Sequence, residues 1–363
     1  MATNQVYGFR PAYAFPPGDT LAEVLDSRPM SQAELAERTG LTPKTVNEII
    51  KGKAPVTPDT ALQLERVLGL PASFWNNLQR RLDEARAREA EADRLRRAIQ
   101  WAGRFPLRTM ARWKWLDVPR DQVDRVRAVL NFFGTATPDA WEARWTSIKV
   151  AFRSANKFEV DQYALACWLR QGEIEAAAIE TEPYDAEAFR DALDAARTLT
   201  TLPGVDFVEP LQATCAGAGV AVVFVPEIPR IRTYGTTRWV SPHKALIQLS
   251  LRQKSDDQLW FSFFHEAAHI LLHPKKAVFL EQPDGQNELE READELAGEQ
   301  LIPAARYDEF IEQGEFDAES IVRFASDIGI AAGIVVGRLQ HDGHVPYRTW
   351  LNDLKNRYRF AEE

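Results

Sequence analysis

The sequence has 363 residues, with 44 Lys plus Arg against 53 Asp plus Glu and a formal net charge of −9 at pH 7. This length exceeds one ordinary hydrophobic core, so two or three domains are expected. The acidic balance excludes nucleic-acid binding through bulk charge, and a DNA partner would have to be held by a local surface.

The N-terminal 20 residues contain no basic segment followed by an apolar stretch. No run in the chain approaches the roughly 18 apolar residues that span a bilayer. These features predict a cytoplasmic protein with no membrane segment. The two cysteines, Cys167 and Cys215, do not make a disulfide framework, and we expect both to be reduced and buried.

Residues 31–52 carry the start and stop signals of two short helices. Ser31 has the position of an N-cap, with a glutamate three residues later to complete a capping box, and Gly40 closes this helix. The second helix begins at Thr42, with proline at its first position, and ends at Gly52. The pattern is typical of a helix-turn-helix, although an ordinary helical hairpin has similar signals.

In a helix-turn-helix the second helix lies in the major groove of DNA, and its first residues face the base edges. Residues 19–97 hold 13 basic and 13 acidic side chains, so their net charge is zero and affinity for phosphate depends on local placement. The residues predicted to face DNA are Gln32, Thr42, Lys44, Thr45, Asn47 and Lys51.

Residues 17–83 closely resemble the HigA-like or VapI-like antitoxin branch of Xre-type repressors. The resemblance implies a five-helix DNA-binding domain, placed here at 1–78, that binds operator DNA. Since the domain carries no net positive charge, we expect weak binding by a monomer and therefore a homodimer.

A run without Gly or Pro follows, and its alternating charges predict a long solvated helix over 78–100 within a linker at 79–104. Ala85, Ala92 and Ile99 recur at seven-residue spacing, which two heptads are too few to establish as a coiled coil. A spacer helix and a dimerisation helix both remain open.

Residues 105–204 are predicted to form a helical middle region, whose tryptophans we expect to fill a core. Beyond Pro210 the pattern changes to short β-branched runs, such as "GVAVVFVPEIP" and "HKALIQLSL", that predict a small sheet. The fold class is therefore α+β and mostly α, with a final domain at 205–363. The tryptophans concerned are Trp113, Trp115, Trp141, Trp145 and Trp168.

The segment "FFHEAAHILLH" places His265 and His269 one helical turn apart, so that both imidazoles can reach one tetrahedral Zn²⁺. Glu266 is rotated by about 100 degrees from His265, beside the metal and not on it, where it can act on water. His273 lies about 12 Å from His265 along the axis, too far for the same ion, and is predicted to be structural or a hydrogen-bond partner.

The third ligand must come from elsewhere in the chain. The position ten residues after the first histidine is Lys275, which cannot bind zinc while protonated. The later segment "ELEREADELAGEQLIP" offers Glu290, with Asp294 one turn away to accept the second N–H of a zinc-binding histidine. Glu288 and Glu292 are alternatives, although Glu292 points roughly 200 degrees away from Glu290. Leu289, Ala293, Leu296 and Ala297 would form the packing face of this helix.

Residues from roughly 160 to 345 resemble the ImmA/IrrE family of zinc metallopeptidases, on the segments "SDDQLWFSFFHEAAHILLH", "EREADELAGEQLIP" and "IGIAAGIVVGRLQHDG" among others. The resemblance implies a gluzincin-like domain in which His265, His269 and Glu290 bind zinc and Glu266 is the general base. It also implies the substrate class, because known relatives cut DNA-binding repressors or antitoxins during stress, prophage or mobile-element responses.

The functional prediction is a DNA-binding zinc metallo-endopeptidase that cleaves a regulatory protein. Tyr307, His341 and Tyr347 are available as donors to the tetrahedral oxyanion, and the strand "KALIQLSL" could pair with an extended peptide. The rival hypothesis is a non-proteolytic repressor or antitoxin whose metal domain is structural or sensory.

Overall fold

The computed structural model describes residues 14–153, 161–231, 233–252, 254–273, 279–280 and 288–360; of 146–153 and 279–280 only the backbone is described. Residues 1–13 of the predicted first domain and Lys275 therefore lie outside the described residues. The chain divides into two compact units, 1–98 and 99–363. The predicted boundaries at 78, 104 and 204 stay predictions. As the sequence predicts, the fold is mostly helical with a small sheet.

The first unit contains the five helices expected of it. Ser31 caps the second helix by accepting a hydrogen bond from the Glu34 amide at 3.2 Å, and Thr42 caps the third by accepting one from Thr45 at 3.0 Å. The apolar faces meet around Leu35, Val46 and other buried side chains. The helices are α1 Pro17–Asp26, α2 Gln32–Thr39, α3 Pro43–Ile50, α4 Pro58–Leu68 and α5 Ala72–Arg96.

The long helix differs from its prediction at both ends. It begins at Ala72, inside the predicted DNA-binding domain, and stops at Arg96, where Arg97 and Ala98 make a turn before the next helix. Ile99 therefore lies on a different helix from Ala85 and Ala92, and the seven-residue repeat does not form one continuous stripe. The charged side chains of the run are solvated, as predicted.

The second unit opens with helices that surround an aromatic cluster. Trp141 stacks on Tyr163 with ring centroids 5.5 Å apart and an interplanar angle of 7°. Trp141, Trp145 and Trp168 are buried as predicted, whereas Trp113 and Trp115 are only half-buried. The helices are α6 Ile99–Ala102, α7 Leu107–Arg112, α8 Gln122–Phe133, α9 Pro138–Arg153, α10 Gln162–Ala178, α11 Ala186–Leu199 and α12 Val208–Gly217.

The sheet has four strands in the order β1-β3-β2-β4. Strand β3 is parallel to β1 and antiparallel to β2, so both of its edges are hydrogen-bonded within the sheet. The prediction that "KALIQLSL" pairs with an extended peptide is therefore wrong, because an interior strand has no open edge. The strands are β1 Val220–Phe224, β2 Gly235–Ser241, β3 Lys244–Leu249 and β4 Phe279–Leu280.

Helices pack on both faces of this sheet. The side chain of Gln248, on β3, donates to the Trp168 carbonyl of α10 at 2.7 Å. Gln248 pairs with Thr236 of β2, so both side chains lie on this face of the sheet. The neighbouring Thr237 points to the other face, where its hydroxyl donates to the Glu266 carbonyl at 2.9 Å. The histidine helix and α10 thus lie on opposite sides of the sheet.

The remaining helices follow the sheet and surround the histidine helix, α13. They are α13 Asp256–Leu272, α14 Glu288–Leu301, α15 Ala304–Gln313, α16 Ala318–Ile328 and α17 Ala332–His341, followed by a 3₁₀ helix at Trp350–Leu354. Among the described residues no single helix is long and apolar enough to cross a membrane; only α16 and α17 taken together reach that length and composition, with a bend of 112° between them.

Two buried aspartates hold the start of α13 to the C-terminal segment. Asp256 accepts hydrogen bonds from the backbone and side-chain amides of Asn356 at 3.0 and 3.1 Å. Burial raises the pKa of Asp256 to about 6, against the lowering effect of these bonds. Asp257 accepts from the Lys355 ammonium at 2.6 Å, and both partners are buried. This pairing stabilises charges that would be costly to bury alone.

We expect Gly333→Ala to destabilise the second unit, because a Cβ at this position on α17 would lie 2.5 Å from the Asp256 carboxylate. Overpacking of this kind costs about 1–3 kcal/mol. Gly217→Ala is the matched control, since a Cβ there meets nothing within 4 Å. Calorimetric unfolding of the full chain should show a lower transition for Gly333→Ala only. Equal transitions in the two variants would contradict the close approach of α17 to α13.

Candidate metal centre

The histidine helix is buried along most of its 17 residues, because the sheet covers one side and other helices cover the rest. His265 and His269 lie one turn apart on it, as their spacing predicts. Their Nε2 atoms are 3.0 Å apart, and their ring centroids are 4.7 Å apart at an angle of 84°. Both imidazoles therefore direct a nitrogen to the same point.

Glu290 of α14 completes this convergence. Its Oε2 lies 3.1 Å from the Nε2 of His265 and 3.6 Å from the Nε2 of His269. Ligand atoms around a tetrahedral zinc, at about 2.0–2.1 Å from the ion, are roughly 3.3 Å from one another. The three donors, which all lie within 4.8 Å of one another, therefore fit a single divalent ion.

The pKa shifts of Glu290 and His269 suit the binding of a cation. Burial alone would raise the pKa of Glu290, but hydrogen bonds and charge from His265 and His269 outweigh it and lower the pKa to about 2. Burial lowers the pKa of His269 and so favours the neutral imidazole. A carboxylate and neutral imidazoles are the protonation states in which these groups bind metals.

Helix α14 supplies a second contact to the first histidine. Asp294 lies one turn after Glu290, and its Oδ1 is 2.8 Å from the Nδ1 of His265. A carboxylate at this position accepts the Nδ1 proton and leaves Nε2 as the lone pair. The structure thus brings His265, His269, Glu290 and Asp294 together as the sequence predicts, while their roles as ligands and partner stay predictions.

The packing face of α14 is narrower than predicted. Ala293 and Ala297 are buried, but Leu296 is half-buried and Leu289 is 38% exposed. The prediction for Leu289 is wrong, because it lies in the first turn of the helix, beyond the buried alanines. Small buried residues such as Ala293 and Ala297 permit close helix packing, which agrees with the short distances between Glu290 and the imidazoles.

Glu266 is fully buried beside this centre, on the side of α13 that faces the sheet. Its carboxylate lies against Gly235 at the start of β2, where a Cβ would come within 2.8 Å of both Cγ and Oε1. Gly235 therefore provides the room that this side chain occupies. The sequence does not indicate this role, because a glycine before a strand has no distinctive spacing to the histidines.

His273 is the last histidine of the row, and it lies just after the helix. Its Nδ1 is 2.8 Å from the Nδ1 of His269, whereas the Nε2 of His269 faces His265 and Glu290. Its Nε2 is 3.4 Å from Oε2 of Glu292. Glu292, an alternative ligand by sequence, thus contacts His273 rather than the centre.

The predicted oxyanion donors lie in different surroundings. Tyr307 is buried under the Arg338 guanidinium, which is 5.1 Å from its ring centroid, and burial raises the pKa of its hydroxyl. His341 is exposed, and Tyr347 is 71% exposed. An oxyanion role stays a prediction for all three.

The candidate DNA surface lies on α2 and α3 of the first unit. Lys44 has 81% of its side chain exposed and is 3.8 Å from Glu48. The Thr42 hydroxyl caps α3 and contacts the Thr45 hydroxyl at 2.8 Å, so part of its hydrogen-bonding capacity is used within the helix. Gln32, Thr42, Lys44 and Lys51 are exposed, and Thr45 and Asn47 are half-buried. Contact of these six side chains with DNA stays a prediction.

Comparison with known proteins finds two family models. Residues 21–75 match the model described as helix-turn-helix, and residues 227–340 match the model described as IrrE N-terminal-like domain. The second match includes both histidines, Glu266 and Glu290. It covers part of the second unit and leaves the helices before residue 227 without a counterpart in that model.

Individual relatives match less than a quarter of the chain. The uncharacterized HTH-type transcriptional regulator YddM of Escherichia coli K12 is 36% identical over 84 residues, 23% of this chain and 89% of that protein. Virulence-associated protein I of Dichelobacter nodosus is 37% identical over 71 residues, 19% of this chain and 66% of that protein. The solved structure of Pseudomonas aeruginosa antitoxin HigA with the higBA promoter is 32% identical, covers 22% of this chain and 89% of that chain, and has a TM-score of 0.22.

We expect Glu290→Gln to weaken binding of a divalent metal. The change removes the negative charge of one donor, and since loss of an outer partner of a ligand already costs about 10–100-fold in metal affinity, loss of the donor should cost more than about 100-fold. Competition of Zn²⁺ with a chelating dye measures the effect on the purified full chain.

Glu288→Gln is the matched control on the same helix, with 79% of its side chain exposed. The control should bind Zn²⁺ as the parent does. Parent-like affinity in Glu290→Gln would exclude Glu290 from the site.

Proposed function

The chain belongs to the helix-turn-helix family through residues 21–75 and carries an IrrE N-terminal-like domain at 227–340, and we propose that it is a DNA-binding zinc metallo-endopeptidase. The observation that supports this proposal most directly is the convergence of His265, His269 and Glu290 with Glu266 buried beside them. A purely structural metal site has no need of an additional carboxylate at its edge.

When bound, zinc would act as a Lewis acid that polarises the scissile carbonyl and lowers the pKa of its bound water to about 7. His265 and His269 would hold the ion through Nε2, and the negative charge of Glu290 would offset part of the positive charge of the ion. Glu266 accepts a proton from the attacking water and delivers it to the nitrogen of the leaving amine. Its burial beside Gly235 keeps bulk water from its carboxylate.

The proposed substrate is one regulatory protein, a repressor or antitoxin. Two observations support this class: the resemblance of the second unit to the ImmA/IrrE peptidases, and the helix-turn-helix match at 21–75, which would hold the enzyme on DNA, where such proteins act. The relatives include an antitoxin solved with its promoter, which agrees with a toxin–antitoxin or mobile-element setting. Activity against a single partner would leave the chain inactive on general protease substrates.

The rival function is a repressor or antitoxin whose second unit only binds or senses metal. It is favoured by the transcriptional regulator that matches the first unit, since that regulator is covered over 89% of its length by 84 aligned residues. The two functions differ in whether Glu266 transfers protons. A change at Glu266 that preserves metal binding therefore separates them.

We expect Glu266→Gln to retain Zn²⁺ and DNA binding and to abolish cleavage, because an amide of the same size cannot take a proton from water. In cells, the natural substrate should accumulate and its cleavage-derived N-termini should disappear. Quantitative proteomics with mapping of new N-termini, together with metal content of the purified proteins, measures both.

Glu295→Gln is the control for a carboxylate-to-amide change, because 72% of its side chain is exposed. Cells with this variant should show the N-termini of the parent. Identical substrate turnover in Glu266→Gln and parent would leave only the non-proteolytic regulator.

DNA binding is proposed for the surface of α2 and α3. With 13 basic and 13 acidic residues over 19–97, binding depends on the exposed Lys44 and Lys51, and on presentation of two such surfaces by a homodimer. Half-site spacing near one turn of DNA would then be expected.

We expect Lys44→Ala to weaken binding to duplex DNA from the region upstream of the protein's own gene. If Lys44 contacts a phosphate, the slope of log affinity against log salt should decrease by about 1. Fluorescence anisotropy over a salt series measures both quantities. The control Arg88→Ala, on the exposed part of α5 where Arg88 pairs with Glu84 at 2.7 Å, should bind as the parent does. Unchanged affinity and slope in Lys44→Ala would contradict this placement of the DNA.

A further inference from the structure

His273, the residue directly after α13, contacts the ring of His269. The helix ends at Leu272, and His273 has extended backbone dihedrals of −112° and 157°. Its amide donates to the His269 carbonyl at 3.2 Å, so the backbone makes this turn independently of the side chain. The imidazole then lies 4.9 Å from the His269 ring, centroid to centroid, with Nδ1 facing Nδ1 at 2.8 Å.

The carboxylate of Glu292 determines which of the two rings donates the hydrogen bond between His269 and His273. Its Oε2, 3.4 Å from Nε2 of His273, is an acceptor, so Nε2 carries the proton of a neutral His273 imidazole. Nδ1 of His273 is then a lone pair, and it accepts the Nδ1–H of His269. The Nε2 of His269 is consequently a lone pair, directed to the Nε2 of His265 at 3.0 Å and to Glu290.

We propose that His273 and Glu292 form a positioning relay that fixes the tautomer and ring orientation of His269 for metal binding. Both nitrogens of His273 are engaged in these contacts, which excludes it as a further ligand of the same ion. The proposal rests on the proposed metal site. It assigns to His273 a role beyond helix termination, since that role needs only its backbone.

The two zinc-binding histidines are then held in the same manner from α14. Asp294 accepts the Nδ1 proton of His265 directly, at 2.8 Å. His269 lies farther along α13, and Glu292 reaches it through His273. The outer contact, at 3.4 Å and with 47% of the Glu292 side chain exposed, is the weaker one. The His273 ring should therefore matter more to His269 than Glu292 does.

Two substitutions separate the relay from a packing role. His273→Asn places an amide oxygen near the position of Nδ1, where it can accept the proton of His269. His273→Phe retains a ring and removes the acceptor. We expect His273→Phe to lower Zn²⁺ affinity by about 10–100-fold and His273→Asn to stay within a few-fold of the parent. Competition with a chelating dye gives the affinities, and thermal unfolding of the metal-free proteins reports packing.

A second readout does not need zinc. In metal-free full-length protein labelled with ¹⁵N-histidine, at a pH where the imidazoles are neutral, long-range ¹H–¹⁵N spectra report which nitrogen of each ring carries the proton. Only six histidines contribute signals. The relay predicts His269 protonated at Nδ1 in the parent and in His273→Asn, and a mixture of tautomers in His273→Phe.

The outcomes distinguish a failure of the relay proposal from a failure of the proposed function. Loss of zinc affinity in His273→Phe with rescue in His273→Asn supports the relay, whereas equal losses in the two variants, or equal affinity in His273→Phe and parent, overturn it. A change confined to the unfolding temperature also overturns it, because that is the signature of packing. If the parent binds no zinc, the proposed function fails, and the tautomer of His269 still decides whether the relay exists.

Discussion

The organising constraint of the second unit is the burial of polar side chains on α13. A helix enclosed by a sheet and several other helices carries His265, Glu266 and His269 where water cannot solvate them. Buried polar groups are stable only when each meets a partner of suitable chemistry. Helix α14 provides such partners in Glu290 and Asp294, and the small Ala293 and Ala297 let it come near enough to do so. Stability and the proposed chemistry therefore depend on the same contact between two helices.

The rest of the unit holds α13 in place from three directions. The sheet supports its Glu266 face through Thr237 and Gly235. At the start of the helix, Asp256 and Asp257 are hydrogen-bonded to the C-terminal segment, and their carboxylates lie against Gly333 and Gly337 of α17. At its end, His273 turns back onto His269. A rigid framework of this kind is what a catalytic or metal-binding constellation requires, because small displacements of the donors weaken both.

In the first unit, local sequence signals determine where most of the helices begin and end. Ser31 and Thr42 cap their helices through bonds to residues three positions away, and Gly40 ends α2 with a φ of 75° that glycine adopts without strain. Its apolar residues recur at helical spacing and meet in one small core. Such local rules made the five helices predictable, but they revealed neither the first nor the last residue of the long helix.

The sequence by itself determined the type of each element in the site: the helical row of histidines, the strands before it, and an acidic helix after it. Spacing along one helix has a fixed geometry, so His265, Glu266 and His269 could be placed relative to one another from their numbers alone. Tertiary structure decided what spacing cannot reach across a loop or a sheet. It made β3 an interior strand, turned Glu290 toward the imidazoles and Glu292 toward His273, and placed Gly235 against Glu266. These choices depend on how separate elements pack, since the order of strands and the rotation of one helix against another are set by complementary surfaces and not by the periodicity of any single segment.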